Sequence, residues 1–289
     1  MNGHLSAKFL LSRAIREAGY RVALTGEGSD EVFAGYAHLR EDLLRAESRL
    51  DEISALRADN AVSAGLMMAS AEDGGLDPVR ERLGFVPSFL RAKAELGARL
   101  RPLLRAPAPG DAPLRFLESF GAPGQLEGRH PVDQSLYLWC KSALATYILR
   151  TLGDGMEMAH SVEGRLPFLD HPLVEFSRRL PLSLKIRGDV EKFALREAVR
   201  DRLPEAVYRR RKHPFLAPPL SLFVDEEGRS LVRDLVAGRA FGTMPFLDRG
   251  RVVELLDRLP SLPAAERTAL DPVLMMVLTA GLIHERFRL

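Results

Sequence analysis

The run Val22-Ala23-Leu24 is apolar at every position and lies between Gly19 and Gly26. A strand with one wet face alternates polar and apolar residues. A run without alternation predicts a strand covered on both faces, as in a parallel sheet. Such a strand needs hydrogen-bonded neighbours, because a buried backbone group left unpaired costs about 1–3 kcal/mol. No other segment reads as a strand, and helical periodicity fills most of the chain. The sequence therefore predicts an α-rich protein in which one parallel strand lacks the rest of its sheet.

Around that strand the order is helix, strand, glycine turn, helix. From Ser6 to Ala18 the residues Phe9, Leu10, Leu11, Ala14 and Ile15 form a helical stripe that Gly19 stops. After Gly28, the residues Ser29, Asp30 and Glu31 resemble an N-cap and an acidic first turn. Residues 38–58 predict an amphipathic helix and 59–72 a weaker one. Clusters of Gly and Pro, above all at 106–113 and 121–128, mark 73–130 as an insertion. Long apolar helices are expected from Asp133 to Thr151 and from Ala264 to Arg286. The expected division is a partial nucleotide-binding α/β unit (1–72), the insertion (73–130) and a helical part (131–289).

With 41 basic and 39 acidic side chains the formal charge is +2 over 289 residues, too weak a field to imply a nucleic-acid partner. One cysteine, Cys140, excludes an internal disulfide framework and fits a reducing, cytoplasmic compartment; its place in an apolar helix reads as core. No apolar run approaches about 18 residues and the start MNGHLSAKFL lacks a secretory layout, so no membrane is expected.

The segment Thr25 to Tyr36, TGEGSDEVFAGY, puts two glycines and two acids on a strand-to-helix turn. The carboxyl ends of strands are where α/β sheets bind ligands. Gly26 and Gly28 let the backbone approach a nucleotide, the free N–H groups opening the helix face an anion, and Asp30 suits magnesium. The same residues also read as an ordinary capped helix start. Likewise, the run RRRKHPF around Lys212 reads by itself as a solvated basic loop.

Together with MEMAHSVEGRLPFLDHPLVEF (156–176) and KFALREAV (192–199), this segment resembles the synthetase domain of the asparagine synthase family, whose relatives include β-lactam synthetases and lasso-peptide cyclases. The resemblance covers Ala7 to Tyr36 and Leu152 to Phe215 directly. It implies the C-terminal part of an adenine-nucleotide α-hydrolase-like (ATP pyrophosphatase) domain, α/β but predominantly helical, with an incomplete parallel sheet. It also implies ATP-dependent activation of an aspartate-like carboxylate followed by attack of an amine or ammonia. Thr25 and Gly26 fall where the family lines the adenylate, and Asp30 where a carboxylate binds magnesium pyrophosphate. Gly28, Ser29, Arg165 and Lys192 complete the implied nucleotide-binding set. Glu27 falls on the acid that stands near the reacting carbonyl in asparagine-forming members; the β-lactam branch has a tyrosine there. Lys212 matches a late lysine that neutralises developing charge. Glu163, with Arg165, falls beside the active site, where a buried structural ion pair is an equal reading.

Departures accompany the resemblance. Gly155 stands where many relatives carry a positive residue, and His213-Pro214 replaces the usual polar pair after the lysine. Only 25 residues precede the GEGSDE turn, so the family's Ser-Gly-Gly-x-Asp-Ser phosphate loop has no place ahead of it; the imitation at Asp73-Gly74-Gly75-Leu76-Asp77 reads as a surface turn. The second residue is Asn2, so no N-terminal cysteine nucleophile of a glutaminase is present. The expectation is an enzyme completed by a second chain that supplies the phosphate loop and glutaminase. A degenerate scaffold subunit, or an amide-bond former of the β-lactam or lasso type, is the alternative.

Overall fold

The computed structural model describes residues 3–60, 68, 75–106, 112–120, 124–210 and 226–289. Helix α1 (His4–Glu17) ends at Gly19, whose φ of +89° is the left-handed stop the sequence predicts. Strand β1 (Val22–Leu24) and the short helix α2 (Ser29–Val32) follow in the expected order.

β1 has a neighbour that the sequence reading missed. Strand β2 (Glu163–Arg165) runs parallel to it, with Val22 opposite Glu163, Ala23 opposite Gly164 and Leu24 opposite Arg165. Glu-Gly-Arg holds no β-branched or aromatic residue, so nothing in its composition signals a strand. Among the described residues β1 and β2 make the whole of this sheet; a separate antiparallel pair joins β3 (Ile186–Arg187) to β4 (Val190–Glu191). The expected two-sided cover of β1 is also missing: Val22 is 40% and Leu24 75% exposed. The described residues place no further strand or helix over those apolar side chains.

The helix expected over 38–58 is two, α3 (Ala37–Ala46) and α4 (Asp51–Asp59), separated where Ser48 takes φ +59°. Buried Glu41 stitches them, its Oε1 lying 2.6 Å from Arg45 and 3.1 Å from Arg57. Most of the helix expected over 59–72 lies outside the described residues. The Gly/Pro-rich stretch carries α5 (Asp77–Leu83), α6 (Ser88–Leu100) and α7 (Ala112–Phe120). Its Val79, Phe89, Leu90 and Leu117 share a buried cluster with Leu138 and Trp139 of α8 (Pro131–Trp139).

α8 does not continue as the α-helix expected to Thr151. From Cys140 to Asp154 the chain is π-helical, and it returns to α-helix in α9 (Gly155–Met158). Hydroxyls along this stretch bond back to carbonyls: Ser142 to Leu138, Thr146 to Ser142 and Thr151 to Thr146, the last spanning five residues. Such back-bonding competes with the regular ladder and accompanies wider helical turns.

Beyond β2 come α10 (His171–Arg178), α11 (Leu182–Lys185), α12 (Phe193–Ala198) and α13 (Glu205–Tyr208), and then α14 (Glu226–Ala237), α15 (Arg239–Gly242), α16 (Arg249–Arg258) and α17 (Ala264–Phe287). The last four close a second core around Phe241, Met244, Val252, Val273 and Val277. By length and composition alone the stretch Glu266–Phe287 is apolar enough to cross a membrane, which corrects the expectation that no run approaches that length. Its Val273, Leu274 and Val277 are nonetheless buried inside this fold.

One buried polar contact ties α3 to α6. Asp42, fully enclosed, accepts hydrogen bonds from the Ser88 N–H at 2.8 Å and the Ser88 hydroxyl at 2.6 Å. Burial pushes its carboxyl up to about 7, the Ser88 hydrogen bonds opposing the shift. A carboxyl whose folded pKa is raised stabilises the fold fully below its unfolded pKa and loses that contribution as pH rises through the folded value. Unfolding in urea at pH 5 and pH 8 should therefore show a fall in stability in the parent chain. That fall should shrink by at least about 1 kcal/mol in Asp42→Asn, which keeps an uncharged acceptor at all pH.

Candidate active site

The site is built at the carboxyl end of β1. The Thr25 N–H donates to the Arg165 carbonyl at 2.9 Å, carrying the parallel ladder one residue into the turn. Gly28 then takes φ +86° and caps α2. A Cβ at this position would stand 2.4 Å from Leu169 Cδ2, so glycine answers both the left-handed backbone and the close approach of the PFLD segment.

The two acids of α2 diverge. Glu31, read from the sequence as part of an acidic first turn, is buried, and its Oε1 accepts from the Tyr36 hydroxyl at 2.6 Å and Trp139 Nε1 at 3.2 Å. Burial raises its pKa, with those hydrogen bonds opposing; burial and the Glu31 charge raise that of Tyr36 as well. Asp30 remains half-buried, and its Oδ1 lies 3.0 Å from Lys192 Nζ, which also donates to Ser29 Oγ at 2.8 Å. Lys192 reaches them from a left-handed backbone, φ +53°, at the start of α12. That conformation costs a non-glycine residue roughly 1–2 kcal/mol and is held where surrounding contacts over-determine it. A Cβ on Gly35 would fall 2.1 Å from Lys192 Cε and 2.2 Å from Asp30 Oδ1, so Gly35 leaves the room in which this pair sits.

Glu27 faces the other way. Its Oε1 is 2.8 Å from Lys8 Nζ of α1, and Lys8 also lies 3.2 Å from Oε1 of Glu157 in α9. Burial alone would lower the Lys8 pKa; the hydrogen bonds and charges of Glu27 and Glu157 outweigh it and raise the pKa above the usual lysine value. Glu27 Oε2 and Thr25 Oγ1 are buried without a hydrogen-bond partner. Two glycines clear this space: a Cβ on Gly164 would lie 2.0 Å from Glu157 Oε2, and one on Gly153 would lie 3.3 Å from Glu27 Oε2.

The structure thus gathers Thr25, Gly26, Glu27, Gly28, Ser29, Asp30 and Lys192 at one corner. Glu163 and Arg165 lie on the adjacent strand and pair with each other at 2.8 Å, but their side chains are 55% and 61% exposed. The buried ion pair expected as one reading is therefore corrected, because among the described residues no element covers that face of β2. Lys212 lies outside the described residues, as do Asp73 and Gly74 of the glycine-acid imitation. Cys140 is half-buried and its thiol is pushed up to about 12, first by burial and then by the Glu31 charge, so it is no nucleophile.

Sequence reasoning missed Lys8 and Glu157. The available signal was a charge set inside an apolar run, Lys8 before Phe9-Leu10-Leu11 and Glu157 between Met156 and Met158. Gly155 leaves no cation at its own position, and the cation meeting the acids here comes from α1.

No group of three or more His, Cys, Asp and Glu side chains among the described residues would cage a metal ion. Asp30 suits magnesium held mainly by phosphate oxygens with a single protein carboxylate, and Lys192 beside it suits the phosphate itself. The buried, unpartnered Thr25 hydroxyl offers a further polar group for a nucleotide.

The turn geometry sets a stability test. Gly19 and Gly28 both have positive φ, but a Cβ on Gly19 meets nothing within 4 Å. Gly19→Ala should cost about 1 kcal/mol for backbone conformation, and Gly28→Ala at least about 1 kcal/mol more, because Leu169 must move. Urea midpoints of the two variants measure the difference.

The sequence model of the asparagine synthase family matches residues 2–282. Among curated relatives, "Amidase chyE" of Penicillium rubens is 30% identical over 234 residues, covering 73% of this chain and 34% of that protein. A putative glutamine-hydrolysing asparagine synthetase of Mycobacterium tuberculosis is 31% identical over 220 residues, 73% of this chain and 31% of its own. Asparagine synthetase 1 of Bacillus subtilis is 27% identical over 243 residues, 82% of this chain and 36% of its own. The chain spans about a third of the length of these relatives. No solved structure matches it significantly. On the match across nearly its whole length, the chain belongs to the asparagine synthase family.

Proposed function

We propose that this chain forms part of an ATP pyrophosphatase-type synthetase site that adenylates a carboxylate and then joins it to an amine, as an asparagine synthase does with aspartate and ammonia. The observation that carries the proposal is the corner after β1, where Glu27 lies on one side and the Asp30–Lys192–Ser29 group on the other. Two charged groups of opposite duty are thereby held a few residues apart.

ATP, bound with magnesium, would supply the phosphorus that the substrate carboxylate oxygen attacks, with pyrophosphate leaving. Asp30 would hold the magnesium, and Lys192 would balance charge on the phosphates. Thr25, Gly26, Gly28 and Ser29 would line the nucleotide through backbone N–H groups and hydroxyls. Lys212 would neutralise charge developing on the phosphate and on the tetrahedral carbon, with Glu163 and Arg165 at the rim. When the amine nitrogen attacks the acyl carbon and AMP leaves, Glu27 would take the proton that the nitrogen sheds.

The exposed apolar side chains Val22, Leu24, Phe9, Leu10 and Leu11 support a shared site. The parallel strand that bears Val22 and Leu24 calls for further strands, and the helix α1 that bears Phe9, Leu10 and Leu11 for cover, which a polypeptide carrying the phosphate loop and glutaminase would provide. The reducing, cytoplasmic setting proposed for it agrees with a lone, unreactive thiol. Relatives named amidases favour a second reading in which the same chemistry makes a different amide.

ATP–pyrophosphate exchange with aspartate is the test, run on the chain alone and mixed with such a polypeptide. Exchange is expected in the mixture, and Asp30→Ala, Lys192→Ala and Lys212→Ala should each lower it by roughly 10²-fold or more. Absence of exchange in the mixture with aspartate and with other carboxylates overturns the proposal.

A further inference from the structure

Lys8 is not among the site residues that the family resemblance implies, yet its ammonium is the group that meets Glu27. All three members of the constellation are largely enclosed: the side chains of Lys8, Glu27 and Glu157 are 17%, 18% and 7% exposed. One cation between two carboxylates leaves one negative charge in excess. Removing charged groups from water is tolerated only where partners are present, so each of the three depends on the others.

Its placement is fixed by more than the ion pairs. Ser12, one helical turn after Lys8 on the same face of α1, donates from Oγ to the Met156 carbonyl at 2.7 Å and meets His160 Nδ1 at 2.7 Å. Phe9 packs edge-on against the His160 ring. These contacts dock α1 on α9, and docking brings Lys8 to Glu157 at the residue after Met156. Gly153 and Gly164 then keep the space around the carboxylates clear. The result is an asymmetric Glu27, with Oε1 paired and Oε2 buried but unpartnered. An enclosed polar atom left without a partner is costly, which points to an occupant that bonds to it in the working complex.

We infer that Lys8 is a positioning residue for Glu27: it pins Oε1, so that Oε2 is the oxygen presented to the attacking amine, while Glu157 holds Lys8 in place. The inference rests on the reading of Glu27 as the acid beside the reacting carbonyl. As the amine nitrogen bonds to the acyl carbon, the C–O bond to AMP breaks and one amine proton passes to Oε2. Of the other ionisable groups on the surrounding elements, His160 meets Ser12, Glu163 pairs with Arg165, His4 and Arg16 of α1 are half-buried, and Asp154 is exposed at the end of the π-helical stretch. The ion pairs described for Lys8 are those with Glu27 and Glu157.

The test compares Lys8→Met, Lys8→Arg and Glu157→Gln in the complete assembly, with ATP, magnesium and aspartate, using ammonium chloride and hydroxylamine as amines. Two rates are read, ATP–pyrophosphate exchange and amide or hydroxamate formation. Lys8→Met should lower the ratio of amide formation to exchange at least about tenfold, less than the roughly 10²-fold or more of a fully lost acid–base contribution. It should also move the acidic limb of the amide-forming pH profile to higher pH. Lys8→Arg should restore most of both, and Glu157→Gln should shift the acidic limb the opposite way. An unchanged ratio and pH profile in Lys8→Met overturns the inference, as does a parallel loss of both rates that Lys8→Arg does not restore. Absence of exchange in the parent assembly defeats the underlying reading and the inference with it, an outcome distinct from exchange with an unmoved ratio.

Discussion

The geometry of this corner depends on Glu31. A carboxylate buried at the start of a four-residue helix would be unstable without partners, and Tyr36 and Trp139 supply both of its hydrogen bonds. Trp139 belongs to α8 and to a buried cluster with Leu138, Phe89 and Val79, so the bond joins the turn after β1 to an apolar core of the described residues. With Glu31 pinned inward, Asp30 and Ser29 are left facing Lys192, and Glu27 is left facing α1. The direction of each polar side chain follows from where its neighbour is anchored.

Helix continuity matters in the same way. α8, the π-helical stretch and α9 run without a break from Pro131 to Met158. One end holds Trp139 against Glu31 and the other holds Glu157 against Lys8. The wider turns between them bring Gly153 up to Glu27. A single long element thus touches both sides of the corner, and the two acid-bearing sides are coupled through it mechanically. The parallel strand pair lies between, with Val22 and Leu24 exposed on it.

Much of the corner was legible in the residues. Two glycines, a serine and acids at the end of an apolar strand carry their own physical meaning, and the left-handed turn at Gly28 and the order of helix, strand, turn and helix follow from them. The partner strand was not legible, because Glu-Gly-Arg carries no strand propensity and pairs only through its backbone. Nor was the role of Glu31 visible: an acid in a first helical turn ordinarily faces water, and only the location of Trp139, 108 residues further on, turns it inward. Lys8 and Glu157 are separated by almost the same stretch of chain as Ser12 and Met156, and no local pattern joins them.

The residue types by themselves determined that the chain is mostly helical and that it carries one apolar parallel strand ending in a glycine-acid turn. Those properties are local, set by side-chain periodicity and by backbone angles that glycine alone adopts freely. Which acid faces the core, which meets Lys192 and which is bridged by Lys8 was decided only by tertiary packing. Burial and ion pairing act between side chains that meet in space, and the order of residues along the chain does not specify that meeting until the helices have docked.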